Sequence, residues 1–299
     1  MSDVVIQTTR LRKTFRNLTA VDSLDLAVPR GSVYGFIGRN GAGKTTTIKM
    51  MLGLLTPTDG AATVLGLDSQ RQSLDIRGRV GYVPERHDMY RWMTISELMW
   101  FIKPFYPTWD DAECQRLLKH FELDPSKRIK ELSKGMVAKV GLTLALAHRP
   151  EILIIDEPTG GLDAIVRREF LESIIHLVDE GGRTVLISSH LLTDVERVAD
   201  QVAVIEGGKL IAQEPLKSLK DRVRQMRLRF TTAVPERIEL DGLLSAKRHN
   251  HEWVITVSNF QAQLPQALKQ RLGADAVELV DLSLEDVFVE LVGYRAAGP

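Results

Sequence analysis

Gly38-Arg39-Asn40-Gly41-Ala42-Gly43-Lys44-Thr45-Thr46 fits G-x-x-x-x-G-K-[ST], a loop whose chemistry is to hold phosphates. The run before it, Ser32-Val33-Tyr34-Gly35-Phe36-Ile37, reads as a buried strand, and Thr46 to Leu54 reads as a helix. An ordinary glycine-rich turn would lack that strand–loop–helix setting. The glycines let backbone amides converge on an anion, and the helix start adds roughly half a unit of positive charge. In this frame Lys44 reaches toward β- and γ-phosphates, and Thr45 offers its hydroxyl to a magnesium ion. Gly38, Asn40, Gly41, Ala42, Gly43 and Thr46 complete the candidate cradle.

Working outward, residues 4–30 read as short antiparallel strands, with Leu24, Leu26 and Val28 alternating before the turn Pro29-Arg30-Gly31. Downstream, Ala62-Thr63-Val64-Leu65 and Val80-Gly81-Tyr82-Val83 are further strand candidates. From about Asp88 to Arg149 the pattern is helical. Ile152-Leu153-Ile154-Ile155, Thr184-Val185-Leu186-Ile187 and Val202-Ala203-Val204-Ile205 are continuous apolar runs, as expected for parallel strands covered on both faces. Phe170, Ile174 and Val178 recur between them at helical spacing, which makes βαβ units. Gly207-Gly208 then closes a hairpin with Lys209-Leu210-Ile211. Beyond about Leu219 the character changes: Met226, Leu228 and Phe230 alternate with Arg227 and Arg229. A strand at Trp253–Val257, a helix over Gln261–Leu272 and a strand at Val277–Val280 follow. The expected fold class is α/β, with domains at 1–221 (helical part about 88–149) and a small α/β domain at 222–299.

Composition narrows the function. Thirty-nine basic and thirty-nine acidic residues leave no net charge, against a nucleic-acid protein that depends on a strong basic field. One cysteine, Cys114, excludes an internal disulfide and suits a reducing cytoplasm. No apolar run approaches the roughly 18 residues that span a bilayer, and the start Met1-Ser2-Asp3 has no signal-peptide character. Any membrane part of its function must come from another chain. His87, His120 and His176 lack metal-like spacing.

A carboxylate pair, Asp156-Glu157, follows the first apolar run directly. Beside a phosphate loop, Asp156 is placed to hold the magnesium shell, and Glu157 to orient the attacking water as a base. The set and order of these motifs resemble the ATP-binding cassette proteins over about Val4 to Gln213. Leu132-Ser133-Lys134-Gly135-Met136 stands where that family carries its LSGGQ signature. Gly160-Gly161-Leu162-Asp163 matches its D-loop, and Ser188-Ser189-His190 its switch histidine.

The resemblance implies a P-loop NTPase core with an antiparallel β subdomain and a helical subdomain. It implies ATP and Mg2+ as ligands and ATP hydrolysis as the reaction. It also implies a head-to-tail homodimer, or pseudo-dimer, of two cassettes around two ATP molecules. Lys44, Thr45, Asp156, Glu157 and His190 would act in their own subunit, and Ser133 and Gly135 on the γ-phosphate of the opposite one. Asp163 belongs to the same nucleotide set. Loss of the γ-phosphate would then loosen the dimer. Phe15 stands where the family stacks an aromatic ring on adenine, with Val21 as an apolar neighbour; the plain alternative is that Phe15 is strand core. Two departures stand out. The signature carries Lys134 and Met136 in place of glycine and glutamine, and Glu85, in Tyr82-Val83-Pro84-Glu85-Arg86, replaces the glutamine of the Q-loop. Glu85 can still join a magnesium shell but cannot donate an amide hydrogen bond. Cassettes that resemble drug- and antibiotic-export ATPases often carry this glutamate.

Trp92, Trp100, Phe101, Phe105, Tyr106 and Trp109 crowd the helical stretch, which in the family meets transmembrane subunits. They are either partner anchors or the subdomain's own core. Arg222, Arg224, Arg227 and Arg229 form a basic cluster that reads first as a solvated strand face. The closing Leu282-Ser283-Leu284-Glu285-Asp286-Val287-Phe288 is similar to the tails of exporter-type cassettes. The reading is the ATPase subunit of an exporter, cytoplasmic and held at the membrane's inner face by transmembrane permease partners, with no nucleic acid expected. The alternative is a soluble cassette ATPase acting on nucleic acid or the ribosome; such proteins generally carry a second cassette or a coiled-coil insertion, and neither is visible here. A GTPase would show Asn-Lys-x-Asp, and this chain has none.

Overall fold

The computed structural model describes residues 3–158, 160, 164–179, 182–231 and 234–296. Contacts divide the chain into two units, Met1–Gln213 and Glu214–Pro299. Helix Leu216–Arg222 falls in the second unit, although the sequence reading put it in the first domain.

The first unit opens with β1 (Val4–Phe15), β2 (Leu18–Leu24), β3 (Ala27–Pro29), β4 (Val33–Ile37), α1 (Lys44–Met51), β5 (Asp59–Val64) and β6 (Leu67–Asp68). An antiparallel sheet runs β2-β1-β5-β6, with β3 also on β1. At 12 residues β1 is longer than expected. Its register against β2 shifts between Leu11 and Lys13 and again between Lys13 and Thr14. These irregularities bend the strand and blur its alternation, which hides its length in the sequence. Leu24, Leu26 and Val28 are all buried as their alternation requires, but Leu26 falls in a break at 25–26, with Leu24 ending β2 and Val28 inside β3.

The chain continues through α2 (Ser73–Arg79), β7 (Val80–Val83), α3 (Ile95–Ile102), α4 (Asp111–His120), α5 (Lys134–Leu146) and β8 (Ile152–Asp156). It then runs through α6 (Ala164–Asp179), β9 (Thr184–Ser189), α7 (Leu192–Val198), β10 (Gln201–Glu206) and β11 (Lys209–Pro215). The second sheet has the order β11-β10-β4-β9-β8-β7, and β10, β4, β9, β8 and β7 run parallel to one another. Every residue of β4, β8 and β9 is buried, so continuous apolar runs and not alternation mark these strands. Parallel pairing also brings the ends of β4, β8 and β9 to one edge of the sheet, where α/β folds bind ligands. The phosphate loop, Asp156-Glu157 and His190 all follow those ends.

Three helices, α3 to α5, lie within residues 95–146 and are joined by loops and short 3₁₀ turns, while 88–94 is not helical and turns at 91–92. Each start has a polar cap. Thr94 and Glu97 bond each other's backbone at 3.1 and 2.8 Å. Asp110 accepts from Glu113 N, and Ser133 from Met136 N. Leu98, Leu117, Leu118, Val140 and Leu142 face inward around Cys114, whose thiol is pushed up to about 11 by burial.

The second unit comprises α8 (Leu216–Arg222), β12 (Arg224–Arg229), β13 (Leu243–His249), β14 (Glu252–Val257), α9 (Leu264–Leu272), β15 (Ala276–Val280) and α10 (Leu284–Ala296). Its antiparallel sheet runs β13-β14-β12-β15. Met226, Leu228, Trp253, Ile255, Val257 and Leu268 form the core. The arginine cluster is largely consumed within the unit. Arg222 forks onto Glu214 and reaches the Ser258 carbonyl, Arg224 pairs with Asp281, and Arg229 with Glu278. Arg227 and Arg229 are exposed on the outer face of β12, as a solvated strand face requires, and the Arg229–Glu278 pair lies in solvent.

Candidate functional site

The loop after β4 is shaped by close packing. A Cβ on Gly38 would lie 2.4 Å from the Ile205 carbonyl, and one on Gly43 2.4 Å from that of Ala20. Gly43 also has φ +105° and Gly41 φ +83°, backbone that L side chains rarely adopt. Gly41 has open space around it, so its lack of a side chain leaves the backbone accessible. α1 begins at Lys44 with no side-chain cap, and the first-turn amides of Lys44, Thr45 and Thr46 have no intrahelical acceptor. These amides are what an anion needs.

A cavity of about 440 Å³ opens over this loop. It is lined by Phe15, Leu18, Ala20, Asn40, Gly41, Gly43, Lys44, Thr45, Thr46, Glu85, Glu157, Gly160 and His190. Gly38, Ala42 and Val21 stand behind the lining. The Ala42 amide closes the loop onto Arg39 O at 3.1 Å, and Val21 is fully buried in the core. Val21 is therefore not the apolar neighbour of the ligand space; Leu18 and Ala20 occupy that face of β2. Phe15 is not strand core. Its ring is 44% exposed at the end of β1.

The Lys44 ammonium is buried. It donates to the carbonyls of Gly38 (2.6 Å) and Arg39 (3.2 Å) and lies 3.0 Å from Glu157 Oε1. The other oxygen of Glu157 is 2.6 Å from His190 Nδ1 and accepts from the His190 amide at 3.3 Å. A carboxylate only accepts, so Nδ1 carries the proton and Nε2 stays available. Glu157 holds φ +50° at the end of β8, a conformation secured by bonds from its amide to Ser188 O and Oγ, both 3.1 Å.

Ser188 is the residue the sequence reading did not single out. Register places it opposite Asp156, and its hydroxyl donates to Asp156 Oδ1 at 2.5 Å. A parallel neighbour to β8 carrying a serine two residues before His190 was the available signal. Asp156 is wholly buried, and its Oδ2 has no hydrogen-bond partner. Burial holds this carboxyl above its ordinary range, opposed by the Ser188 hydrogen bond and the nearby Thr45 hydroxyl and reinforced by the charges of Glu157 and Glu85. An orphaned buried carboxylate oxygen beside a threonine hydroxyl is the donor set that a magnesium ion fits. Among the described residues no group of three or more His, Cys, Asp or Glu could hold a metal.

Ser133 and Gly135 lie away from this cavity, at the start of α5. Ser133 is exposed and caps the helix; Gly135 is buried, and a Cβ there would meet Val166 of α6 at 2.5 Å. Asp163 lies outside the described residues. Of the aromatic group, Phe101 and Trp109 pack on the helical core, and Tyr106 stacks on His148 at 4.2 Å. Trp92, Trp100 and Phe105 are 63, 76 and 67% exposed; Tyr90 lies against Trp92 and Phe101, and Phe105 against Phe101.

Comparison with known proteins places these features. The family profile described as ABC transporter matches residues 21–160. The bacitracin transport ATP-binding protein BcrA of Bacillus licheniformis is 34% identical over 98% of this chain and 99% of its own length. The probable multidrug ABC transporter ATP-binding protein YbhF of Escherichia coli (strain K12) is 36% identical over 73% of this chain, but this covers only 38% of YbhF. A solved ATP-binding subunit of an ABC transporter superposes with a TM-score of 0.65 at 30% identity, over 72% of this chain and 92% of that one. Among the described residues no helix is long and apolar enough to cross a membrane.

Proposed function

This chain belongs to the family of ABC transporter ATP-binding proteins, and from that premise we propose how its residues divide the work. It is the ATP-binding and ATP-hydrolysing subunit of such a transporter. The observation that carries the assignment of roles is the continuous chain Lys44–Glu157–His190, at 3.0 and 2.6 Å, beside open first-turn amides.

The amides of Lys44, Thr45 and Thr46 bind the phosphates. Lys44 exchanges its contact with Glu157 for the β- and γ-oxygens. Glu157, released from the ammonium, accepts the proton of the attacking water. His190, fixed through Nδ1, presents Nε2 to the γ-phosphate. Asp156 Oδ2, the Thr45 hydroxyl and Glu85 are the groups that would hold magnesium, which when bound would supply the positive charge that stabilises the transferring phosphoryl group. Phe15 stacks on the adenine, with Leu18 and Ala20 alongside.

Two copies complete the site, Ser133 and the helix start at Gly135 of one copy meeting the γ-phosphate held by the other. Asp163 joins that interface. The exposed patch of Tyr90, Trp92 and Phe105 docks a transmembrane permease, since aromatic side chains carry much of the energy of such interfaces. The names of BcrA and YbhF, together with Glu85, favour an exporter. The chain thus sits at the cytoplasmic face of the membrane through its partner. Purification of the native complex tests this reading: it is expected to contain a separate multi-spanning chain whose presence stimulates ATP hydrolysis. An ATPase recovered without any membrane chain would contradict it.

A further inference from the structure

Lys13 sits next to the base platform, and its contacts are specific. Its ammonium lies over the Phe15 ring, 5.1 Å from the centroid, and donates to the Thr56 carbonyl at 2.6 Å. Thr56 belongs to the turn that follows α1, the helix whose start forms the phosphate site. The Leu54 and Leu55 amides tie this turn to Lys49 O at 2.8 and 3.1 Å. The turn also grips β1 directly, through Thr58 N to Arg12 O at 2.8 Å and Thr14 N to Thr58 Oγ1 at 3.0 Å. Lys13 does not line the nucleotide cavity, whereas Phe15 does.

We propose that Lys13 is a positioning residue for nucleotide binding: anchored on Thr56, it pins the Phe15 ring so that the base meets a ring already set in place. This rests on the reading that Phe15 stacks on adenine. The physical need is plain. A half-exposed ring at a strand end has few packing neighbours, and ordering it on binding costs rotamer freedom. An ammonium over the ring face is attracted by the π-quadrupole and holds the ring before the ligand arrives. The two register shifts around Lys13 bend β1 at this point. Because the anchor is the turn after α1, Lys13 adds a side-chain link between the base platform and the phosphate helix to the Thr58 bonds that already hold this turn to β1.

Affinities for ADP, for ATP and for tripolyphosphate (a ligand without a base) test the idea in the full-length chain. Lys13→Met is expected to weaken ADP binding about 2- to 5-fold and to raise KM for ATP equally with kcat unchanged. Tripolyphosphate affinity should not move, and Lys13→Arg, which keeps the cation, should restore nucleotide binding. In a Phe15→Ala background Lys13→Met should have no further effect. A loss that persists in that background, or one shared by tripolyphosphate, would overturn the proposal, as would an unchanged ADP affinity in Lys13→Met. If Phe15→Ala itself leaves ADP affinity intact, the stacking reading fails; if it weakens binding while Lys13→Met is silent, only the role of Lys13 fails.

Discussion

At the scale of single residues, Asp156 links the chemistry to stability most directly. Its carboxyl is raised above the ordinary 3.8 mainly by burial. A group with a raised folded value contributes stability that is full below its unfolded value and lost as pH rises through the folded one. Once pH has risen through that folded value, the nucleotide-free protein carries a buried charge with one unpartnered oxygen. Asp156→Asn should raise the melting temperature of the ligand-free protein at the alkaline end of a pH series and flatten its decline as pH rises. It should also abolish the extra thermal shift that magnesium gives with ADP. Differential scanning calorimetry with and without magnesium reads all three, and a melting temperature lowered at the alkaline end would refute the account. Lys44 and Glu157 separate binding from turnover. Lys44→Ala leaves Glu157 buried without its counter-charge and removes the phosphate ligand, so ATP affinity should fall at least tenfold. Glu157→Gln should keep ATP bound and lower turnover by roughly 10²- to 10⁴-fold, the usual worth of a general base. Wild-type turnover in that variant would remove Glu157 from the role. Glu85→Gln restores an amide donor at the cavity rim, so it should change the coupling of hydrolysis to transport more than it changes ATP affinity.

At the scale of elements, the contact between α5 and α6 sets the signature segment. Gly135 has no side chain because Val166 occupies that space. Gly135→Val would force the two helices apart, and overpacking of this kind costs about 1–3 kcal/mol. The melting temperature should drop accordingly. Val166→Ala added to Gly135→Val should recover part of the loss; no recovery would mean that the clash lies elsewhere. The ends of β8 and β9 show the same dependence on pairing. Ser188 reaches Asp156 only because the two strands are parallel and in register at that row. Ser188→Ala should therefore disturb magnesium affinity while leaving the strands intact.

At the scale of the whole molecule, the ATP-bound form of the Glu157→Gln variant should elute as a dimer in gel filtration and as a monomer with ADP. Loss of that dimer on substituting Ser133 would follow from its place in the neighbour's site; an unaffected dimer would contradict it. The phosphate loop, the Asp156-Glu157 pair, His190 and the parallel core strands were legible in the sequence. Each is local, a short run whose residue types are dictated by backbone conformation, burial on both sheet faces or phosphate chemistry. Non-local facts were not legible. Leu18 and Ala20 face the cavity in place of Val21, Ser188 bonds Asp156, and Val166 dictates Gly135. The half-buried edge strand β13 also escaped, because Leu243 to His249 shows no clean alternation. Covalent order and side-chain chemistry thus determined which groups could act on a nucleotide. Their pairing across strands and helices was decided only by packing, since contacts between residues far apart in the chain leave no periodic mark in it.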